Sequence, residues 1–364
     1  MKTFLFTAVA AISMSLCSQS AQARSWRVNS NPDAKANFAS INDAMASLDV
    51  FNGDTIYLDP GCALNKQTIS KAVTIIGPGY NLDGNEQGAI LQGQTIIGKE
   101  QKIGHAKIEG CHIEKLTILY APNLTIERCR ITEVNYGQGS NNENVSFLSC
   151  FIGKPGTEHV LEGFGSNGYY SSPTINNCIC LGGIRYLTAA TITNNVFIGT
   201  TDYYGGPKDY YVLKNVINST IKNNIIINAH TEYSVGDDQR PYYYKNNTIA
   251  NTAVEDGNTI SNNVLSTEAQ HAFANYPNNK FIGATAADIF TLTGGVEAMY
   301  KLKEGSPAIG YGTNGYDCGA FSGPYPYVLS GRPRFLPYIY EAIIPNQPTD
   351  GKLNVTLKIK TQNE

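Results

Sequence analysis

Charge is scarce in this chain. Asp, Glu, Lys and Arg make up 16% of the 364 residues and nearly cancel, to a formal −3 at neutral pH. That balance supplies neither a basic surface for nucleic acid nor a polyacidic tail, so no nucleic-acid partner is expected. Long apolar runs are scarce too. The one that stands out, Phe4 to Leu16, is too short to cross a bilayer, so no transmembrane segment is expected. It follows Lys2 and precedes Ala21-Gln22-Ala23, an order that predicts a secretory signal peptide over 1–23. The expected location is therefore secreted, periplasmic or at the cell surface. Cys17 also follows the run, as a lipoprotein cysteine would, but bulky Leu16 before it favours cleavage after Ala23.

Two further absences narrow the fold and the chemistry. The chain beyond residue 23 has seven cysteines, an odd number without metal-type spacing, which argues against a zinc site. No stretch sustains a 3.6-residue apolar period over the ten or more residues that a helical repeat needs.

What is present instead is a short repeating pattern: apolar, any, small or polar, then Cys or Asn, any, apolar. Ile108 to Ile113 carries it around Cys111, and Ile126 to Ile131 carries it around Cys129. The fourth position continues through Cys150, Cys178, Asn195, Asn224, Asn247 and Asn263, at spacings of 18, 21, 28, 17, 29, 23 and 16. The apolar pieces are three to five residues long and rich in Ile, Val and Thr, so they read as short strands joined by bends. Irregular spacing opposes a left-handed solenoid built on multiples of six. The expected architecture is all-β: a right-handed parallel β-helix, a single-stranded solenoid whose turns differ in loop length. The fourth position then stacks coil on coil about 4.8 Å apart as one interior ladder, thiol in its first half and amide in its second. The thiols are expected to be free and buried.

Ser40-Ile41-Asn42-Asp43 predicts a helix N-cap, with Ile41, Ala44, Met45 and Leu48 as the apolar stripe of a short capping helix. Gly53 to Gly61 reads as the first strand and its turn, and Val73 to Gly77 as the opening of the next coil. The run from Phe38 through Pro60-Gly61 to Gly77 resembles the opening of bacterial pectate-lyase-like β-helix proteins. Ser306-Pro307-Ala308-Ile309-Gly310 and Asp317-Cys318-Gly319-Ala320-Phe321 resemble their closing segment. The resemblance covers roughly Val28 to Phe321 and implies the fold. The expected division is a signal peptide at 1–23, the β-helix at 24–322, and a Pro- and Tyr-rich segment at 323–364 that ends in a strand and packs along or caps the last coils.

Enzymes on this fold use an exterior sheet and its neighbouring loops, and the longest gaps lie at Cys150 to Cys178 and Asn195 to Asn224. Counting ten residues back from the ladder places Arg185, Lys214 and Asp237 on successive coils, with Asp238 beside them. A cation that takes the C5 proton of a uronate, near carboxylates able to hold calcium, suits a polysaccharide lyase acting on an acidic glycan. Tyr203, Tyr204, Tyr210, Tyr242 and Tyr243 offer flat faces for sugar rings. Polysaccharide recognition through these tyrosines is the first expectation, a uronate lyase the second and a purely structural surface protein the third. The sequence carries no signal for an oligomeric state.

Overall fold

The computed structural model of the protein describes residues 23–82, 87–99, 101–136, 142–154, 159–162, 170–199, 212–227, 234–235, 241–242, 249–250, 252, 255–265, 278–281, 285–334, 337–345, 347–348 and 350–361. Two long parallel sheets run the length of the stack. The first has ten strands in chain order, from Ser25–Val28 to Thr259–Ser261, and the second has eleven, from Ala63–Asn65 to Lys280–Phe281. From Thr55–Leu58 to Val264–Leu265 each neighbour in one sheet is reached only after the chain has visited the other sheet, which makes the architecture a parallel β-helix. A shorter third sheet joins His159–Glu162, Gly183–Thr188, Leu213–Ile217 and Ile249–Ala250, with Tyr170–Ser171 also paired to Gly183–Thr188.

The apolar pieces form strands because alternate residues find a common interior. Ile108, Ile126, Phe147, Ile175, Ile192 and Ile221 are in register across the first sheet and at most 1% exposed. Ile113, Ile131, Ile152, Cys180, Phe197 and Ile226 do the same in the second. Each such side chain contributes about 1.5–3 kcal/mol by leaving water. On the outside of the first sheet, one column is Ser or Thr at nine of its ten positions, Lys107 being the exception. Lys107 is held by Glu109 at 2.8 Å and Glu127 at 2.7 Å, so the cation at the centre of that face is already neutralised.

The bend from the first sheet to the second takes one residue in the left-handed region. Arg128, Ser149, Asn177, Asn194, Asn223 and Asn262 occupy it at φ of 50–58°. Asparagine tolerates this conformation better than most side chains, which explains its frequency just before the ladder.

The ladder itself is present, with one correction. Cys111, Cys129, Cys150 and Cys178 are free, fully buried thiols that donate to the carbonyls two residues back. From Asn195 onward, each amide Nδ2 donates to a carbonyl of the preceding coil, and each Oδ1 accepts from the backbone N–H of the rung before. The rung after Asn224 is Asn263, not Asn247, and Asn279 follows it. That coil therefore spans 39 residues from rung to rung. The extra length leaves the second sheet after Ile227 and returns to the third at Ile249–Ala250. Asn247 lies outside the described residues.

At the N-terminal end, Ser40 caps the helix Ile41–Ala46, accepting from the Asp43 N–H, while Ile41, Ala44 and Met45 are buried. Leu48 is not part of that stripe. The helix has ended by Ser47, and Leu48 is 91% exposed.

The segment 285–329 lies against the outer face of the second sheet. Ile289, Phe290, Ala308, Cys318, Ala320 and Tyr327 pack there on Phe151, Ile179, Val196 and Ile225. Residues 313–332 then run back along the left-handed bend from later to earlier coils. Thr313 N–H donates to Asn223 Oδ1 at 2.9 Å, and Asn177 Nδ2 to the Ala320 carbonyl at 2.8 Å. Ser149 Oγ donates to the Tyr325 carbonyl at 2.7 Å and Arg128 Nη1 to that of Arg332 at 2.8 Å. Beyond this strap, Tyr338–Ile343 and Thr356–Lys360 form an antiparallel hairpin whose Ile339, Leu357 and Ile359 are about half exposed.

Candidate functional site

The third sheet brings together two of the residues singled out by the sequence. Arg185 lies on Gly183–Thr188 and Lys214 on Leu213–Ile217, and the two are direct neighbours in the parallel register. Their strands are anchored from below by Ile184, Leu187, Leu213 and Val216, each at most 2% exposed. Alternation along the strand therefore turns both cations outward, where they are half-buried. The Arg185 guanidinium also lies over the Tyr186 ring at 5.8 Å. Two cations thus stand as register neighbours, one strand spacing or roughly 4.8 Å apart, on an otherwise weakly charged molecule.

The acidic end of this row differs from expectation. The position beside Lys214 on the next coil is Ala250, not Asp237, because the 39-residue coil shifts the count of ten. The carboxylate residue in line is Glu162, the register partner of Arg185 on the preceding coil. The row thus reads Glu162, Arg185, Lys214, Ala250. Residue counting missed Glu162 because its coil carries another long insertion between Phe151–Gly153 and Tyr170–Ser171.

Asp237, Asp238, Tyr203, Tyr204, Tyr210 and Tyr243 lie outside the described residues. Tyr242 belongs to the two-residue strand Pro241–Tyr242, paired antiparallel with Ser234–Val235. Chain continuity still ties these segments to the site. Residues 200–211 lead directly into the strand of Lys214, and 228–248 into the strand of Ala250.

Other charged clusters are satisfied internally. Lys115 pairs with Glu133 at 2.9 Å and Arg27 with Asp59 at 2.6 Å. Among the described residues, no three His, Cys, Asp or Glu side chains converge as a metal site, and Asp237 and Asp238, the calcium candidates, are not among them. The hydrogen bond to Cys129, with burial, pushes the Cys111 thiol well above the ordinary range, and burial, with the hydrogen bond to Cys178, does the same for Cys150. These thiols are interior packing groups, not nucleophiles. No helix among the described residues is long and apolar enough to cross a membrane.

No protein-family model matches this chain, and no curated protein or solved structure matches it. The case for function rests on the row across the third sheet.

Proposed function

We propose that this is a secreted, pectate-lyase-like β-helix protein that binds an acidic polysaccharide along its third sheet. The observation that carries the reading is the direct register of Arg185 with Lys214. Stacked coils repeat roughly every 4.8 Å, close to the length of one sugar ring, so a uronate chain lying along the helix axis presents about one carboxylate per cation. Tyr203, Tyr204, Tyr210, Tyr242 and Tyr243, which precede the strands of Lys214 and Ala250 in the chain, supply ring-stacking faces. A polyanion is the ligand class because two register neighbours of positive charge on one outward strand face attract carboxylates more than hydroxyls.

The same pair supports a second reading, β-elimination. One cation would neutralise the uronate carboxylate and the other, in its neutral form, would take the C5 proton; that electron pair forms the C4–C5 double bond as the C4–O bond breaks, and the departing oxygen takes a proton from water. One experiment separates the two. The protein is incubated with polyuronate and with neutral glucan, with and without calcium, then run by size exclusion. Binding predicts co-elution with intact polyuronate, weakened about ten- to a hundred-fold by Arg185→Ala/Lys214→Ala and reduced by salt. Shortening of the uronate chain that Lys214→Ala abolishes would establish the lyase. Equal retention of neutral glucan, or a double variant that binds unchanged, would overturn both.

A further inference from the structure

Arg24 comes immediately before the first strand, Ser25–Val28, and its backbone is held on both sides. Its carbonyl accepts from the Thr55 N–H at 2.8 Å, and its own N–H donates to Asp54 Oδ1 at 2.8 Å. Asp54 precedes the strand Thr55–Leu58, and the Thr74 N–H fixes its carbonyl at 2.9 Å. The second carboxylate oxygen, Oδ2, accepts from Trp26 Nε1 at 2.8 Å and from the Phe51 N–H at 3.0 Å. Oδ1 has one donor where it has room for two.

This carboxylate is 2% exposed and lacks a counter-ion. Among the described residues, no Lys, Arg or His forms an ion pair with it. The Arg24 guanidinium lies over the Phe51 ring, 5.9 Å from its centre. Burial raises the carboxyl, but the hydrogen bonds from Phe51, Arg24 and Trp26, helped least by the Arg24 charge, hold it below the ordinary carboxylate range. A covered carboxylate served by neutral donors still carries a desolvation cost that a paired cation offsets.

The geometry points to Asp54 as the receptor for a new N-terminus: hydrolysis of the Ala23–Arg24 bond turns the Arg24 nitrogen into an ammonium that ion-pairs with Asp54 Oδ1. The inference rests on the reading of residues 1–23 as a secretory signal. In that hydrolysis, performed by a signal peptidase, the oxygen of one water goes to the Ala23 carboxylate. Both of its protons go to the Arg24 nitrogen. The nitrogen gains two N–H donors and a full charge where it stands, beside the free lone pair of Oδ1. Ala23 is exposed, so its departure empties no packed position. A retained leader leaves an ordinary amide at the same place, and the carboxylate stays unpaired. Processing therefore ties down the first strand of the stack.

The test compares urea denaturation of two chains, one beginning at Arg24 and one keeping Ala21-Gln22-Ala23, each with and without Asp54→Asn. At pH 6, below the α-amino range of about 7.7–8.0, both chains carry a terminal charge and only its position differs. Keeping the three residues should raise the unfolding equilibrium constant about ten-fold in the parent and less than two-fold in the Asp54→Asn pair. Acetylating the Arg24 nitrogen, which removes the charge and keeps one N–H, should match the extended chain. Equal effects of the extension with and without Asp54→Asn would overturn the inference. If the Asp54→Asn chains fail to fold, an acetylated chain as stable as the free amine would do so instead. Mass spectrometry of the exported protein tests the underlying reading separately. A first residue other than Arg24 would overturn the signal-peptide assignment and the inference with it, whereas Arg24 in first place without the ten-fold effect overturns the inference alone.

Discussion

Replacing Asn224 by alanine is expected to lower the stability of the fold by roughly 3–5 kcal/mol, since each buried polar group left unpaired costs about 1–3 kcal/mol. Asn224 is fully buried and serves three coils at once. Its Nδ2 donates to the Ile192 carbonyl and to Asn263 Oδ1, both at 2.9 Å. Its Oδ1 accepts from the Asn195 backbone N–H at 2.9 Å and from Asn195 Nδ2 at 3.0 Å. Alanine orphans the Ile192 carbonyl and the Asn195 N–H in an interior that water does not reach. Asn224→Cys should cost less than half as much. The upper coils already use a thiol at this position: Cys178 Sγ donates to the Phe147 carbonyl at 3.4 Å and accepts from the Cys150 N–H at 3.4 Å. Urea denaturation of the two variants is the measurement. An alanine variant within 1 kcal/mol of the parent would show that the amide column is not a source of stability.

A second large effect is a fall in stability as pH rises, centred on Glu297. This carboxyl is 2% exposed, and burial, the dominant influence, pushes it above the ordinary carboxylate range. Arg130 and the hydroxyls of Tyr327 and Tyr80 pull the other way but do not win. Tyr327 donates to Glu297 Oε2 at 2.6 Å, and the Tyr327 and Tyr80 hydroxyls are 2.6 Å apart. Tyr80 sits on the early coils and Tyr327 on the strap 247 residues later, so the cluster clasps the strap to the stack. In the folded state the carboxyl holds its proton to higher pH than it does unfolded, where it titrates near 4.3. Between the two values the folded state binds more protons, so its stability falls with rising pH. The contribution is full below the unfolded value and lost as pH passes through the folded one. Glu297→Gln stays neutral and keeps an acceptor for Tyr327, so its urea midpoint should change less between pH 4 and 8 than that of the parent. A parent whose stability rises over that interval with a slope the glutamine variant shares would exclude the clasp as its cause.

Much of the coil was legible in the residues because strand chemistry is local. Thr125-Ile126-Glu127 can bury only its middle side chain, and the Arg128-Cys129 bend places a small group inward whatever follows. The same pattern predicted the rungs at Cys111, Cys129, Cys150, Cys178, Asn195, Asn224 and Asn263. Asn247 matched it too, within Tyr244 to Ile249, yet the adjoining Ile249–Ala250 pairs in the third sheet and the rung belongs to Asn263. A six-residue pattern cannot count the residues that leave a coil before it closes. That miscount moved Asp237 out of the row with Arg185 and Lys214 and hid Glu162, which enters the row from the other side. The segment after 322 was expected against the last coils, but the strap runs back to the earlier ones at Ser149 and Arg128, for a related reason. Its contacts to Asn177, Ser149 and Arg128 go mainly through its own backbone carbonyls, which carry no residue signature.

By itself, then, the sequence determined what each short segment becomes. Alternating β-branched residues make strands, a tolerant residue in the left-handed region makes each bend, and a thiol or amide fills the interior column. Those outcomes depend on neighbours within a few residues. Only the tertiary structure decided which coil lies on which: the row Glu162, Arg185, Lys214, Ala250 and the joining of Glu297 to Tyr80 through Tyr327. These depend on how many residues each loop removes from the stack. Loop closure grows more costly only slowly with length, so a 39-residue coil and a 17-residue coil close almost equally well, and nothing local tells one from the other.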